Sequence, residues 1–295
     1  MGRIFWRKLE GFGHAIFYVC LFIGGQTGAY LLLGPVVFFY VLVSRRSHRL
    51  TKAYRQRRFP EHRGVNAWLD TFRIVYSFGQ ILVDRAWLGI RKEVGLEGEL
   101  VGRDRLLRTV AEGKGLVLLT AHVGNWQTAL SHICDLAVPV NSLMHYDQAA
   151  VAKHYFDLRG EQTPFRIINT EGLMGGLVEA TAALMRGEVV TVMADRYIKG
   201  PFVTADFIGS PVRLPAAAYS LAAATGAPLA VLLAAKTGRT RYSLTVWDIF
   251  TPVIGDRQER QKNLAVGAAR FAGALNEYVR QYPYQWYNFF DFWRQ

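Results

Sequence analysis

The residues best able to do chemistry stand directly after short apolar runs. Ala121-His122-Val123-Gly124-Asn125-Trp126-Gln127 follows the run that ends at Thr120, and Ala194-Asp195-Arg196 follows VVTVM. A histidine leaving a buried strand, a glycine permitting a tight turn and an asparagine suited to cap a helix over Trp126–Leu136 set His122 at a helix N-terminus. There the imidazole can take a proton from an incoming hydroxyl or amine, while exposed N–H groups near Gly124 and Asn125 hold a developing oxyanion. Both halves of acyl-transfer chemistry fit into this short stretch. Spacing alone leaves a second reading open, in which His122 only satisfies a turn carbonyl. Asp195 likewise suits either an acid that orients the histidine and substrate or a structural ion pair with Arg196.

Other chemistries are weakly represented. Gly113-Lys114-Gly115 lacks the spacing and Ser/Thr of a phosphate-binding loop. His132, His145 and His154 show no paired ligand spacing, so no metal and no cofactor is expected. Neither Cys20 nor Cys134 lies in a nucleophile context, and no Gly-x-Ser-x-Gly elbow occurs, so a covalent acyl-enzyme is not indicated. Without a CxxC or a Cys/His cluster, the two cysteines exclude zinc fingers, iron–sulfur sites and a disulfide scaffold, and fit a reducing, cytoplasmic setting. Arg159 and Arg213 could bind phosphate groups, yet isolated arginines are more often solvated surface.

These residues need a scaffold, and the chain is long enough to build one. It has 295 residues, 51% of them hydrophobic, and 35 Lys plus Arg against 23 Asp plus Glu, for a formal charge of +12. Disordered and low-complexity classes are excluded, and a polyanionic partner or surface is expected. Gly115–Ala121, Val138–Met144, Pro164–Asn169 and Val189–Ala194 read as buried strands. Helical periodicity marks Ala67–Leu88, Gln148–Arg159 and Leu173–Arg186. Two further strand candidates, LAVLLAA and RYSLTVWDIF, precede a last helix from about Arg257 to Gln281. The order is that of an α/β fold with a mixed or mostly parallel sheet flanked by helices. Ligands of such sheets collect beyond the carboxyl ends of the strands, where His122 and Asp195 stand.

The N-terminus is different. Phe12 to Val43 contains no Asp, Glu, Lys or Arg, and Arg3, Arg7 and Lys8 precede it while Arg45, Arg46, Arg49, Lys52, Arg55, Arg57 and Arg58 follow. Gly24-Gly25-Gln26-Thr27-Gly28 divides the block into two halves, each shorter than the roughly 20 residues of a membrane span, with Pro35 kinking the second. A helical hairpin that returns to the cytoplasmic face satisfies both basic flanks, and one long, tilted, kinked span satisfies the length. Residues 1–60 are therefore expected to be a hydrophobic membrane anchor with a basic flank, and 61–295 a catalytic domain. The basic run lies against this apolar block and in no recognised nucleic-acid fold, so nucleic-acid binding is not expected.

Taken together, AHVGNWQ, the strand ending in MADR, FIGSPVRLPAAAYSLAAATGAPLAVLLA and the terminal PYQWYNFFDFW resemble the bacterial lipid A late-acyltransferase superfamily. Among its members the likeness is strongest to predicted acyltransferases of aryl-polyene-type and other lipid pathways. The resemblance runs over essentially the whole chain. It implies a glycerolipid-acyltransferase-like fold on the cytoplasmic face of the inner membrane, with an acyl carrier protein or coenzyme A thioester as donor and a membrane lipid as acceptor. It makes His122 the general base, oriented by Gln127 or Asp195. Gly124, Asn125, Trp126, Arg159 and Arg196 become the substrate-binding residues. The signature of this superfamily is His-x4-Asp or His-x4-Glu, and Gln127 stands where the acid belongs. A glutamine carbonyl can hold the imidazole tautomer but cannot neutralise an imidazolium. Three readings follow: a natural variant that uses another acid, Asp195 foremost; a catalytically silent, lipid-binding homologue; or a substitution introduced to trap a complex. The terminal aromatic run is expected either to line an acyl channel or to sit at the membrane interface, the zone Trp and Tyr prefer.

Overall fold

The computed structural model describes residues 2–90, 97–126, 136, 138–144, 165–171, 173–253 and 256–294, with side chains from Ile16 onward except at 89, 90 and 173. Strands β1 (Glu97–Val101), β2 (Leu116–Thr120), β3 (Val140–Met144), β4 (Arg166–Asn169), β5 (Val189–Met193), β8 (Leu229–Lys236) and β9 (Arg241–Phe250) form one sheet in the order β1-β9-β8-β2-β5-β3-β4. The pairs are parallel except β8 with β9, so the sheet is mixed, as the alternation of apolar runs and helical stretches predicts. A separate antiparallel hairpin, β6 (Phe202–Phe207) and β7 (Ser210–Pro215), lies within the stretch after Asp195. The sequence reading contains neither this hairpin nor β1, whose Glu-Gly-Glu-Leu-Val lacks an apolar run and is mostly exposed.

The central strands are buried on both faces. Val117 and Leu119 of β2 join Ala180 and Leu184 of α5 (Leu177–Met185), Tyr219 of α6 (Ala217–Thr225) and Phe271 of α7 (Arg257–Gln281) in one core. Leu116 and Leu118 join Leu106 and Val110 of α4 (Arg103–Ala111) in the other. Two covered faces explain why these strands are continuous apolar runs rather than alternating ones. The predicted helix over Gln148–Arg159 lies outside the described residues, as does nearly all of the one over Trp126–Leu136.

Before the sheet come α1 (Gly2–Val43), α2 (Arg45–Arg58) and α3 (Gly64–Ile90). Among the described residues, Ile16–Val43 is the one helical stretch long and apolar enough to cross a membrane. It is not straight. Gly25 has φ 59° and ψ −159°, a left-handed conformation open to glycine, while Pro35 is carried inside the helix that follows. A β-carbon on Gly28 would lie 3.1 Å from the carbonyl oxygen of Cys20. In a straight helix those residues stand about 12 Å apart along the axis, at 1.5 Å per residue. The two halves therefore meet at a sharp corner inside the predicted glycine-rich interruption. Beyond it, Tyr30 meets Asp84 and Phe38 meets Trp68, so the second half runs antiparallel to α3.

A buried carboxylate seats this layer on the sheet. Asp84 of α3 accepts from Gln26 Nε2 at 2.6 Å, from Lys236 Nζ at 2.5 Å and from the hydroxyls of Tyr30 and Tyr242. These donors come from α1, β8 and β9. Burial pushes the Lys236 ammonium below its usual range, against the pull of Asp84. Removing one partner of such a pair leaves an uncompensated charge inside the protein. Asp84→Ala is accordingly expected to lower the unfolding free energy by about 3–5 kcal/mol in denaturant titrations. Asp84→Leu combined with Lys236→Met should recover at least half of that loss. A single-variant loss under about 1 kcal/mol would contradict the assigned role.

Candidate active site

Strand register brings the site together. Thr120, the last residue of β2, pairs with Met193, the last of β5, and Ala194 N–H donates to Thr120 O at 2.9 Å. His122 and Asp195 each lie two residues past that pair, so the two turns leave the sheet side by side. His122 Nδ1 is 2.9 Å from Asp195 Oδ1, and the backbone N–H of His122 donates to Asp195 Oδ2 at 2.9 Å. The Asp195 side chain is 0% exposed and that of His122 22%. Nδ1 is thereby committed to the carboxylate, and Nε2 is the ring nitrogen that Asp195 does not engage.

A third donor comes from the C-terminal segment. Trp286 Nε1 donates to Asp195 Oδ2 at 2.9 Å. Burial pushes the Asp195 carboxyl up, but the His122 charge and these N–H donors outweigh it and hold the group below the ordinary carboxylate value. Asp195 makes its bonds to His122 and Trp286 and no ion pair with Arg196. Arg196 is exposed, its guanidinium 5.4 Å from the centre of the Phe290 ring. Trp286 was not legible as a site residue, since its partner is 91 positions away and nothing in the local spacing points to it.

The same segment locks the turn after His122. Val123 bridges Trp286, Tyr287 N–H donates to His122 O at 2.8 Å, and Gly124 N–H donates to Gln285 O at 3.1 Å. The Gln285 side chain clamps the end of β8, accepting from Lys236 N at 2.7 Å and donating to Lys236 O at 2.8 Å. Gly124 has φ 47°, and a β-carbon there would fall 2.2 Å from Ala234 O, so the turn lies flat on β8 and admits only glycine. The Gly124 N–H, expected to face an oxyanion, donates here to a backbone carbonyl, and the residue forms the turn. The helix begins at Trp126, whose ring stands edge-on to His122 at 6.2 Å, and Asn125 is buried beside it. Gln127 and Arg159 lie outside the described residues.

The aromatic C-terminus also departs from the interfacial placement. Trp286, Tyr287, Phe292 and Trp293 are buried, and Phe207 contacts the rings of Trp286, Phe292 and Trp293. Their polar ends are satisfied inside the protein: Trp293 Nε1 donates to Phe207 O at 3.1 Å, and Tyr287 OH pairs with Ser77 Oγ at 2.9 Å. Among the described residues, no group of three His, Cys, Asp or Glu side chains could hold a metal ion.

Comparison with known proteins bears on the family. Residues 73–295 match the family described as bacterial lipid A biosynthesis acyltransferase. Two curated relatives, phosphatidylinositol mannoside acyltransferases from two strains of Mycobacterium tuberculosis, are each 29% identical over 136 residues. That alignment takes in 45% of this chain and 43% of each relative, less than half of their length.

Ionised Asp195 stabilises the fold above its unfolded value near pH 4, and that contribution fades as pH falls through the lower folded value. Trp286→Phe keeps the ring and removes one donor, which raises the folded value. Denaturant unfolding followed on acidification should show the variant losing stability at a higher pH than the parent. Superimposable acid profiles would show that the indole N–H does not act on Asp195.

Proposed function

Because the chain belongs to the bacterial lipid A biosynthesis acyltransferase family, we propose that it moves an acyl chain from an acyl carrier protein or coenzyme A thioester directly to a hydroxyl or amine of a membrane lipid or glycolipid. The observation that carries this reading is the contact of His122 with the buried Asp195. His122 Nε2 removes the proton of the acceptor O–H or N–H as the oxygen or nitrogen attacks the thioester carbonyl. Asp195 keeps the proton on Nδ1 and stabilises the imidazolium that forms. Collapse of the tetrahedral intermediate breaks the C–S bond, and the imidazolium returns its proton to the departing thiolate. Backbone N–H groups at the start of the helix, those of Asn125 and Trp126, take the charge on the carbonyl oxygen. Arg159 and Arg196 supply positive charge for the carrier or the lipid headgroup. The mycobacterial relatives are named for a phosphatidylinositol mannoside, which supports a glycolipid acceptor.

In this mechanism Gln127 need not be an acid. Asp195 supplies the carboxylate that the His-x4-Asp pattern lacks here, which favours an active variant over a silent homologue. His122→Ala should lower acyl transfer on the order of 100-fold or more, and Asp195→Asn should also fall steeply. Gln127→Glu should change turnover little. The assay uses an acyl carrier protein thioester with extracted inner-membrane lipid. A large gain in Gln127→Glu, together with tolerance of Asp195→Asn, would overturn the assignment.

Residues 1–60 act as the anchor in this proposal, with 61–295 forming the acyltransferase unit on the cytoplasmic face of the inner membrane. Phe22, Ile23, Leu31 and Phe39 turn large apolar side chains outward, and Arg45, Arg46, Arg49 and Lys52 of α2 follow as an exposed basic run. Deleting residues 1–43 should release the protein from membranes. A full-length protein that fractionates without detergent as a soluble species would contradict the anchor.

A further inference from the structure

The second half of α1 is fastened to the sheet-bearing part of the chain from end to end. At its start, Gln26 Nε2 donates to Asp84 Oδ1 at 2.6 Å and to Arg239 O, in the turn between β8 and β9, at 3.4 Å. The Trp87 ring lies 3.4 Å from where a β-carbon of Gly25 would stand. Halfway along, a β-carbon on Gly79 of α3 would fall 2.7 Å from Leu33 Cδ1, and further on the rings of Phe38 and Trp68 meet with centres 5.3 Å apart. α2 continues the attachment, since Tyr54 OH donates to Pro283 O at 2.7 Å and Arg58 Nε to Val279 O of α7 at 3.0 Å. The helix beneath, α3, bears Asp70, Arg73, Asp84 and Arg85 and presses Phe78 onto Tyr287 and Phe289.

This attachment limits how the apolar block can meet a bilayer. Were residues 28–43 to cross the hydrocarbon, α3 with those charges and the β8–β9 turn would have to cross beside them, at a prohibitive cost in desolvated charge and backbone. Only the first half is left to span. Between Glu10 and the corner at Gly25 its charge-free stretch rises about 20 Å as a helix, short of the roughly 30 Å of a hydrocarbon core. The outer side of the second half is apolar as well. Leu31, Pro35, Phe39 and Leu42 recur at i, i+4, i+8 and i+11 and are exposed, while Ala29, Leu33, Val37 and Val41 are buried. α2 follows with exposed Arg45, Arg46, Arg49 and Lys52 and no acidic residue. We propose that the block enters one leaflet without crossing the membrane: the stripe lies in the boundary between headgroups and acyl chains, the α2 cations meet anionic headgroups, and Arg3, Arg7 and Lys8 stay on the same face as the sheet. This rests on the anchor reading above. A second copy of the chain would bring its own basic run to the stripe, whereas an anionic lipid surface complements both the stripe and the charge.

The test places single cysteine reporters in the full-length protein after Cys20→Ser and Cys134→Ser. Gly2→Cys reports on the far end of the block, and Glu61→Cys, at an exposed position between α2 and α3, reports on the side that holds the sheet. A membrane-impermeant maleimide should label both in inverted inner-membrane vesicles and neither in intact spheroplasts. Labelling of Gly2→Cys but not Glu61→Cys in intact spheroplasts would show a full span and overturn the proposal. Depth is read separately, with bimane on Phe39→Cys in vesicles of phosphatidylethanolamine and phosphatidylglycerol. A nitroxide near the headgroup end of the acyl chain should quench it at least about twofold more than one near the chain end. Equal or stronger quenching by the deep nitroxide would overturn a one-leaflet position. An unquenched bimane whose emission shifts with protein concentration would assign the stripe to a second copy and overturn the lipid contact. A full-length protein that does not sediment with the vesicles at all would sink the anchor reading itself.

Discussion

A carboxylate sealed away from water must be surrounded by donors, and Asp195 is the place where this chain meets that requirement. Three N–H groups converge on it, two from His122 and one from Trp286. Each fixes a different part of the protein. The His122 backbone bond sets the turn after β2, the imidazole bond fixes the ring and its tautomer, and the indole bond pins the C-terminal segment across the ends of β2 and β5. Loss of any donor would leave a buried charge short of partners, so the arrangement is demanded by electrostatics and not only permitted by packing. The geometry of the candidate site is therefore also a folding constraint.

Another buried acid, Asp84, does for the N-terminal layer what Asp195 does for the site. It draws Gln26 and Tyr30 of the apolar α1 onto Lys236 and Tyr242 of the sheet. Lys236 is also the residue whose backbone Gln285 clamps, and Gln285 O takes the Gly124 N–H. The N-terminal layer and the His122 turn thus meet at the carboxyl end of β8. In the proposed function, that puts a lipid acceptor and the base that activates it at the same end of the sheet.

Much of this was legible in the sequence where the signal is local. Fully buried strands announce themselves as continuous apolar runs, and β2, β5 and β8 fall where those runs lie, while the partly exposed β9 shows as an alternating one. The final helix spans Arg257–Gln281, the stretch its periodicity marks. His122 and Asp195 were visible because each follows such a run. Signals that depend on distant partners were not. Trp286 reads as one more aromatic in an interfacial cluster until register places it on Asp195. The Gly124 N–H looks free for an oxyanion until the C-terminal segment is seen to take it. Asp84 sits inside an amphipathic helix and gives no hint of its four donors, while β1 has too little apolar character to read as a strand and joins the sheet only through its pairing with β9.

The central claim is that a neutral His122 holds its proton on Nδ1, facing Asp195, and keeps Nε2 free as the base. Nitrogen-15 NMR of the histidine side chains, assigned with a His122→Gln variant, measures this directly. The account predicts an Nδ1–H signal shifted far downfield and an Nε2 resonance of the unprotonated type for the neutral ring, with the Nδ1–H signal lost or moved upfield in Asp195→Asn. A neutral His122 protonated on Nε2, or a spectrum indifferent to Asp195→Asn, would contradict it.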